Sequence, residues 1–165
     1  MQKLVVIAAL VVGGFLATSC SDTDARVTAT GPTTLAFEPA SAFFNVSPST
    51  VFAQTVRPSF CPAFPPFTAV LDLSISAGSL SLSVTDITVR FVDTFGVSMP
   101  QVTLPAPVMT TQFGSALVQA RQTRVFPLSL GLGCATGQQG TATVIVVFRD
   151  SNGRMSSGQV MAFIR

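Results

Sequence analysis

From Thr68 to Ser76 the chain alternates with a period of two. Ala69, Leu71, Leu73 and Ile75 share one face, and Val70, Asp72 and Ser74 share the other. That spacing predicts a half-buried strand, which Ala77-Gly78 ends. Leu80, Leu82 and Val84 alternate next, then Ile87, Val89 and Phe91 take over one residue out of phase. A one-residue slip sends side chains to the wrong face, so a bulge or break is expected at Thr85-Asp86. Val125–Leu130 reads as a strand with Pro127 inside it, hence an edge strand. Thr141–Arg149 contains Val144-Ile-Val-Val-Phe148 and is the strongest strand signal. Ser151-Asn152-Gly153-Arg154 follows and predicts a tight primed turn, with positive φ at both central residues. Gln159–Ile164 returns as its partner.

The rest is less regular. Leu35–Phe37 and Val51–Val56 each read as a short strand, separated by turns at Pro39 and Pro48. Arg57–Phe67 holds four prolines and cannot be a central strand or a helix. Gln101–Met109 reads as edge or loop, and Ser115–Arg121 is the stretch that passes as a helical turn. Gly131–Gly140 is a glycine-rich loop holding Cys134. Two segments echo one another: Val89-Arg-Phe-Val-Asp-Thr-Phe-Gly96 and Val146-Val-Phe-Arg-Asp-Ser-Asn-Gly153. Shared turn chemistry accounts for this, with aspartate capping the turn and glycine taking the left-handed position.

Short strands joined by turn signals predict an all-β fold, an antiparallel sandwich. The echo and closing hairpin resemble the C, F and G strands of immunoglobulin-like domains over roughly Val51–Ile164, without the buried tryptophan and tyrosine corner of antibody domains. On that resemblance Val51–Val56 is strand A, Thr68–Ser76 B, Ile87–Asp93 C, Val125–Leu130 E and Thr141–Arg149 F. The A–B, C–C′ and E–F connections then share one end of the sandwich. Cys61 lies in A–B and Cys134 in E–F, so a disulfide between loops is expected, against two separate buried thiols. Phe60, Phe64 and Phe67 lie beside it. They either form a partner-binding patch or plug the end of the core.

The amino terminus changes the picture. Lys3 precedes an uncharged run from Leu4 to Ala17, followed by Ala17-Thr18-Ser19-Cys20. The run is shorter than the roughly 20 apolar residues a spanning helix needs, and reads as a secretory signal. The small residues before Cys20 resemble the lipobox of bacterial lipoproteins, with Ala17 where that family most often has leucine. The resemblance implies cleavage before Cys20, lipid on its thiol and amine, and anchoring in a membrane. Ser21 resembles the outer-membrane sorting signal of enteric bacteria, which favours the outer membrane over the inner. Ordinary secretion with cleavage after Ser19 is the rival. Cysteine parity favours lipid: of three cysteines, Cys20 is modified and Cys61 and Cys134 pair.

The expected layout is therefore a lipoprotein signal helix at 1–19, a flexible tether at 20–34 and an immunoglobulin-like β-sandwich domain at 35–165. Removing 1–19 from the 165 residues leaves 146, the size of one domain, with no lysine and eight arginines against seven acids. That balance is too small for a nucleic-acid footprint. Histidine is absent, which excludes Ser-His, Cys-His and most zinc catalysis. Only paired carboxylates drawn from Glu38, Asp72, Asp86, Asp93 and Asp150 survive as chemistry. Asp93 and Asp150 end antiparallel strands and should lie at opposite ends. No acidic cluster supplies calcium's oxygens, and no cofactor is implied. The expected function is a non-catalytic, lipid-anchored binding or structural module of the cell envelope, contacting the membrane through Cys20 and a protein partner whose identity the sequence does not give. The alternative is a loop-presenting inhibitor of a secreted protease.

Overall fold

The computed structural model describes residues 41–165; Cys20, the signal, the tether and the start of the expected domain lie outside them. Ten strands and one helix follow in order. They are β1 (Ala42–Ser47), β2 (Thr50–Val51), β3 (Gln54–Thr55), β4 (Phe67–Ala77), β5 (Leu82–Asp93), β6 (Val102–Pro105), α1 (Ala106–Phe113), β7 (Leu117–Val118), β8 (Thr123–Leu132), β9 (Gly140–Asp150) and β10 (Met155–Ile164).

Two sheets form an all-β sandwich. In one, β8 runs along one edge of β4 from Leu132↔Phe67 to Thr123↔Ser76. The other edge of β4 is shared by β1 and, further along, β3. In the second sheet the order is β2–β10–β9–β5–β6, with β7 continuing beside β5. All pairings are antiparallel except β2–β10. Thus β4, β5, β8, β9 and β10 occupy the B, C, E, F and G places expected from sequence.

Alternation decides which side chains meet between the sheets. Ala69, Leu71, Leu73 and Ile75 of β4 and Phe126, Leu128, Leu130 and Leu132 of β8 are buried from one side. Val84, Ile87, Val89 and Phe91 of β5 and Ala142, Val144, Val146 and Phe148 of β9 are buried from the other. Each large side chain so buried contributes about 1.5–3 kcal/mol. The phase slip is a bulge: the register jumps between Val84 and Asp86, and the extra residue, Thr85, donates its hydroxyl to Val147 O at 3.1 Å. It keeps Leu82 and Val84 on the same face as Ile87 and Val89.

Four expectations are corrected. Strand A is not Val51–Val56. The chain pairs with β4 as β1, crosses to the other sheet as β2 and returns as β3. The alternating Ala42, Phe44 and Val46, which face the core, begin this path. The helix is not at Ser115–Arg121 but at Ala106–Phe113. Pro107 sits in its first turn, where proline is tolerated, Met109 is buried, and Gly114 closes it at φ +79°. The last hairpin is not a primed turn. Asp150 N–H donates to Arg154 O at 3.0 Å and Gly153 N–H to Asp150 O at 2.9 Å, leaving a three-residue loop in which only Gly153 (φ +82°) is left-handed. Phe67 is half-buried and packs against the core, so it belongs to no exposed patch.

Candidate functional site

The register brings three connections to one end. Phe67 pairs with Leu132, Gly140 with Asp93, and Ile164 with Gly140. The β3–β4, β5–β6 and β8–β9 connections therefore meet there, together with the end of β10. The described chain enters at the opposite end, where Gly78 N–H donates to Ser41 O at 2.8 Å.

Cys61 of the β3–β4 connection is bonded to Cys134 of β8–β9, with Cα atoms 5.5 Å apart and a sequence separation of 73. Glycines on β8 and beyond let the proline run lie flat against it. A Cβ on Gly133 would stand 2.6 Å from Phe67 Cδ2 and 2.9 Å from Pro66 Cγ, and one on Gly131 would stand 2.5 Å from Pro65 Cγ. Around the disulfide, Pro62, Pro65, Met99 and Pro100 line an apolar cleft of about 190 Å³.

Asp93 ties the other two connections together. Its Oδ1 accepts from Phe95 N–H at 2.9 Å and Val97 N–H at 2.8 Å, and its Oδ2 accepts from Gly137 N–H at 2.7 Å. The bond from Gly137 is the largest cause of a lowered pKa, and those from Val97, Phe95 and Gly96 add to it against the opposing effect of desolvation. The β8–β9 loop is thus fastened on one side by sulfur and on the other by a carboxylate.

Within the Cys61 loop, Phe60 N–H donates to Phe64 O at 2.8 Å and Phe64 N–H to Phe60 O at 2.7 Å. Residues that exchange both bonds project their side chains to the same side, with Cβ atoms about 5 Å apart. The two side chains therefore leave the same side of the loop, and they are 72% and 62% exposed. They do not plug the core. Phe52, Phe95 and Phe163 are also exposed on this end: Phe52 between β2 and β3, Phe95 at the β5–β6 turn, Phe163 near the end of β10. Sequence reading did not single them out, although the signals exist. Phe163 stands out of phase between buried Ala162 and Ile164, and a phenylalanine at an Asp-Thr-Phe-Gly turn tip has no core to reach.

Of the candidate carboxylates, Glu38 lies outside the described residues, and Asp93 and Asp150 are far apart. Asp93 sits opposite Gly140 and Asp150 opposite Leu82, the two ends of one long ladder. Among the described residues no group of three or more metal-ligating side chains occurs, and no helix is long and apolar enough to cross a membrane.

No protein-family model matches this chain, and no curated protein matches it. Among solved structures, a Bordetella pertussis protein assigned as a candidate ApaA is similar, with TM-score 0.55 and 12% identity over 77% of this chain and 96% of that one. A second structural-genomics target gives 0.46 and 8% identity over 74% of this chain and 85% of its own. A Pseudomonas fluorescens alkylpurine DNA glycosylase, AlkC, gives 0.39 and 12% identity over 76% of this chain and 30% of its own. The first likeness shows a shared fold and transfers no activity.

Proposed function

We propose that this protein is a non-catalytic, lipid-anchored module of a bacterial cell envelope that works by contact, offering the disulfide-bearing end of its sandwich to a protein partner. One observation carries the reading: Phe60 and Phe64 stand exposed as a cross-strand pair on a loop closed by two hydrogen bonds and pinned by Cys61–Cys134. A loop whose backbone is already held loses little backbone freedom on binding, which is what a recognition surface requires. Lipid on Cys20 would hold the module at a membrane; the described residues begin at Ser41, at the end of the sandwich away from Phe60 and Phe64. A loop this tightly closed presents side chains rather than free extended backbone, which places contact ahead of the protease-inhibitor alternative.

The test is a photo-crosslinking amino acid placed at 60, at 64 and, as a control, at Phe43, which is exposed near the opposite end. The full-length protein is expressed in its own envelope. One discrete adduct at 60 and 64 and none at 43 supports the reading; equal labelling at all three, or none, rejects it. The anchor is tested separately: Cys20→Ser should move the protein out of the membrane fraction.

A further inference from the structure

Arg124, the second residue of β8, is held in an unusual setting. Its Nη2 donates to Phe113 O at 2.6 Å, satisfying a carbonyl at the carboxyl end of α1. Its guanidinium carbon lies 5.8 Å from the ring centroid of fully buried Phe126, against which Phe113 stands edge-on at 85°. These contacts fix the guanidinium. Its Nε is buried with no hydrogen-bond partner, the only such side-chain atom among the described residues. No carboxylate of the described residues pairs with it. The buried Nε is out of a ligand's reach, so a further partner must bind the terminal nitrogens, where one bond, Nη2 to Phe113 O, is in use. A half-buried cation with no carboxylate beside it lacks the partner that normally offsets its desolvation.

Arg124 also lines an open cavity of about 280 Å³ beside the β7–β8 turn, and it is the only charged residue there. The other polar walls are Ser115, Gln119, Gln122 and Thr123, with Leu117 and Val118 between them. The turn is pinned. Ala120 N–H donates to Ser81 Oγ at 3.1 Å, Arg121 N–H to Gly78 O at 2.7 Å and Gln122 N–H to Gln119 O at 3.1 Å. Arg121 is held at φ +61°, the one left-handed non-glycine residue described. Such a conformation costs roughly 1–2 kcal/mol and persists only where its surroundings impose it.

We propose that this cavity binds a small carboxylate, with Arg124 as its charge partner and the Gln119 and Gln122 amides as neutral donors. A guanidinium fork matches a carboxylate in bidentate geometry. Leu117 and Val118 suit a short apolar body attached to it, and the volume equals about nine waters. The site is remote from the phenylalanine pair, at the opposite end of β8, and the inference does not depend on the function proposed there.

The experiment is a titration of the ¹⁵N-labelled full chain in non-ionic detergent, following the Arg124 Nε–H and the Gln119 and Gln122 side-chain amides. The probes are sodium benzoate, neutral benzamide and sodium sulfate. Benzoate is expected to give saturable shifts at all three groups with a dissociation constant of about 1 mM or tighter, and benzamide and sulfate to bind at least about tenfold more weakly. Arg124→Lys keeps the charge and loses the fork, and should weaken benzoate about tenfold. Because Arg124 also braces α1, Gln122→Leu provides a variant that leaves those contacts in place; it too should weaken benzoate. No saturable shift, or benzamide or sulfate binding as well as benzoate, overturns the proposal.

Discussion

Asp93 and Asp150 make the same turn at opposite ends of the β5–β9 ladder. Each accepts two backbone N–H bonds on Oδ1, from Phe95 and Val97 in one case and from Asn152 and Arg154 in the other. Each is followed three residues later by a left-handed glycine, Gly96 at φ +83° and Gly153 at φ +82°, whose N–H returns to the aspartate carbonyl. The echo visible in the sequence is therefore turn chemistry. Asp93 alone uses its second oxygen, on Gly137, and so reaches a neighbouring connection.

That difference predicts an acid response. The folded-state pKa of Asp93 is lowered, chiefly by Gly137. Its stabilisation is therefore complete above the unfolded value of about 3.9 and is lost as pH falls through the folded value. Asparagine keeps one acceptor oxygen and cannot hold the same three N–H groups as a charge. Asp93→Asn should be less stable than wild type at pH 7, and the gap should close below about pH 4. Thermal midpoints from pH 7 to pH 2 check this; a gap independent of pH would show that the charge is immaterial.

The disulfide predicts a larger effect. With a sequence separation of 73 between Cys61 and Cys134, loop-closure entropy alone gives about 4 kcal/mol. Cys61→Ser with Cys134→Ser should lower the denaturant midpoint accordingly, leaving the slope to report any change in unfolded-state compactness. Reductant should shift wild type and leave the double variant unmoved.

Three glycines should rank in order. A Cβ on Gly140 would meet Val92 O and Asp93 Cα, backbone that cannot swing aside. A Cβ on Gly158 would meet the Phe44 ring, which packs at 5.8 Å from Phe148 and can shift in part. A Cβ on Gly96 would meet nothing within 4 Å, leaving only its positive φ. Alanine should cost most at 140, about 3 kcal/mol or more, less at 158, and about 1 kcal/mol at 96. Equilibrium unfolding of the three variants measures the order.

The sandwich was legible because its long strands carry their burial in their spacing. β4 alternates without interruption, and β5 announces its bulge by a change of phase at Thr85. That Cys61 and Cys134 share one end followed from the immunoglobulin-like strand order that the sequence resembles, not from spacing, and the disulfide joins them there. What escaped was set by partners distant in sequence. β1 does alternate, at Ala42, Phe44 and Val46, but β2 and β3 are two-residue pieces whose pairing depends on which sheet each meets, so no local period marks them. The helix at Ala106–Phe113 hid behind Pro105 and Pro107, although Pro107 in its first turn and Gly114 just past its end are a start and a stop. Whether Phe60 and Phe64 plugged the core or faced solvent was undecidable from composition, because a proline-rich loop gives no phase. Their exposure, with neither ring in the core, settles it.

That exposure yields a prediction needing no knowledge of the partner. Phe60 and Phe64 are 72% and 62% exposed, so replacing both by serine removes little buried surface and should change stability by no more than about 0.5 kcal/mol. Phe91 and Phe126 are fully buried between the sheets, and alanine at either should cost about 3–5 kcal/mol. Phe67, half-buried and packed beside Gly133, should fall between. A sequence as rich in phenylalanine as this one, with 14 copies and no other aromatic, would thus separate into residues that hold the fold and residues that do not. If Phe60→Ser with Phe64→Ser leaves the denaturation curve in place and abolishes crosslinking from a probe at 95, the outward pair acts in contact rather than in folding. If it lowers stability by several kcal/mol, the rings support the loop, and their exposure says nothing about binding.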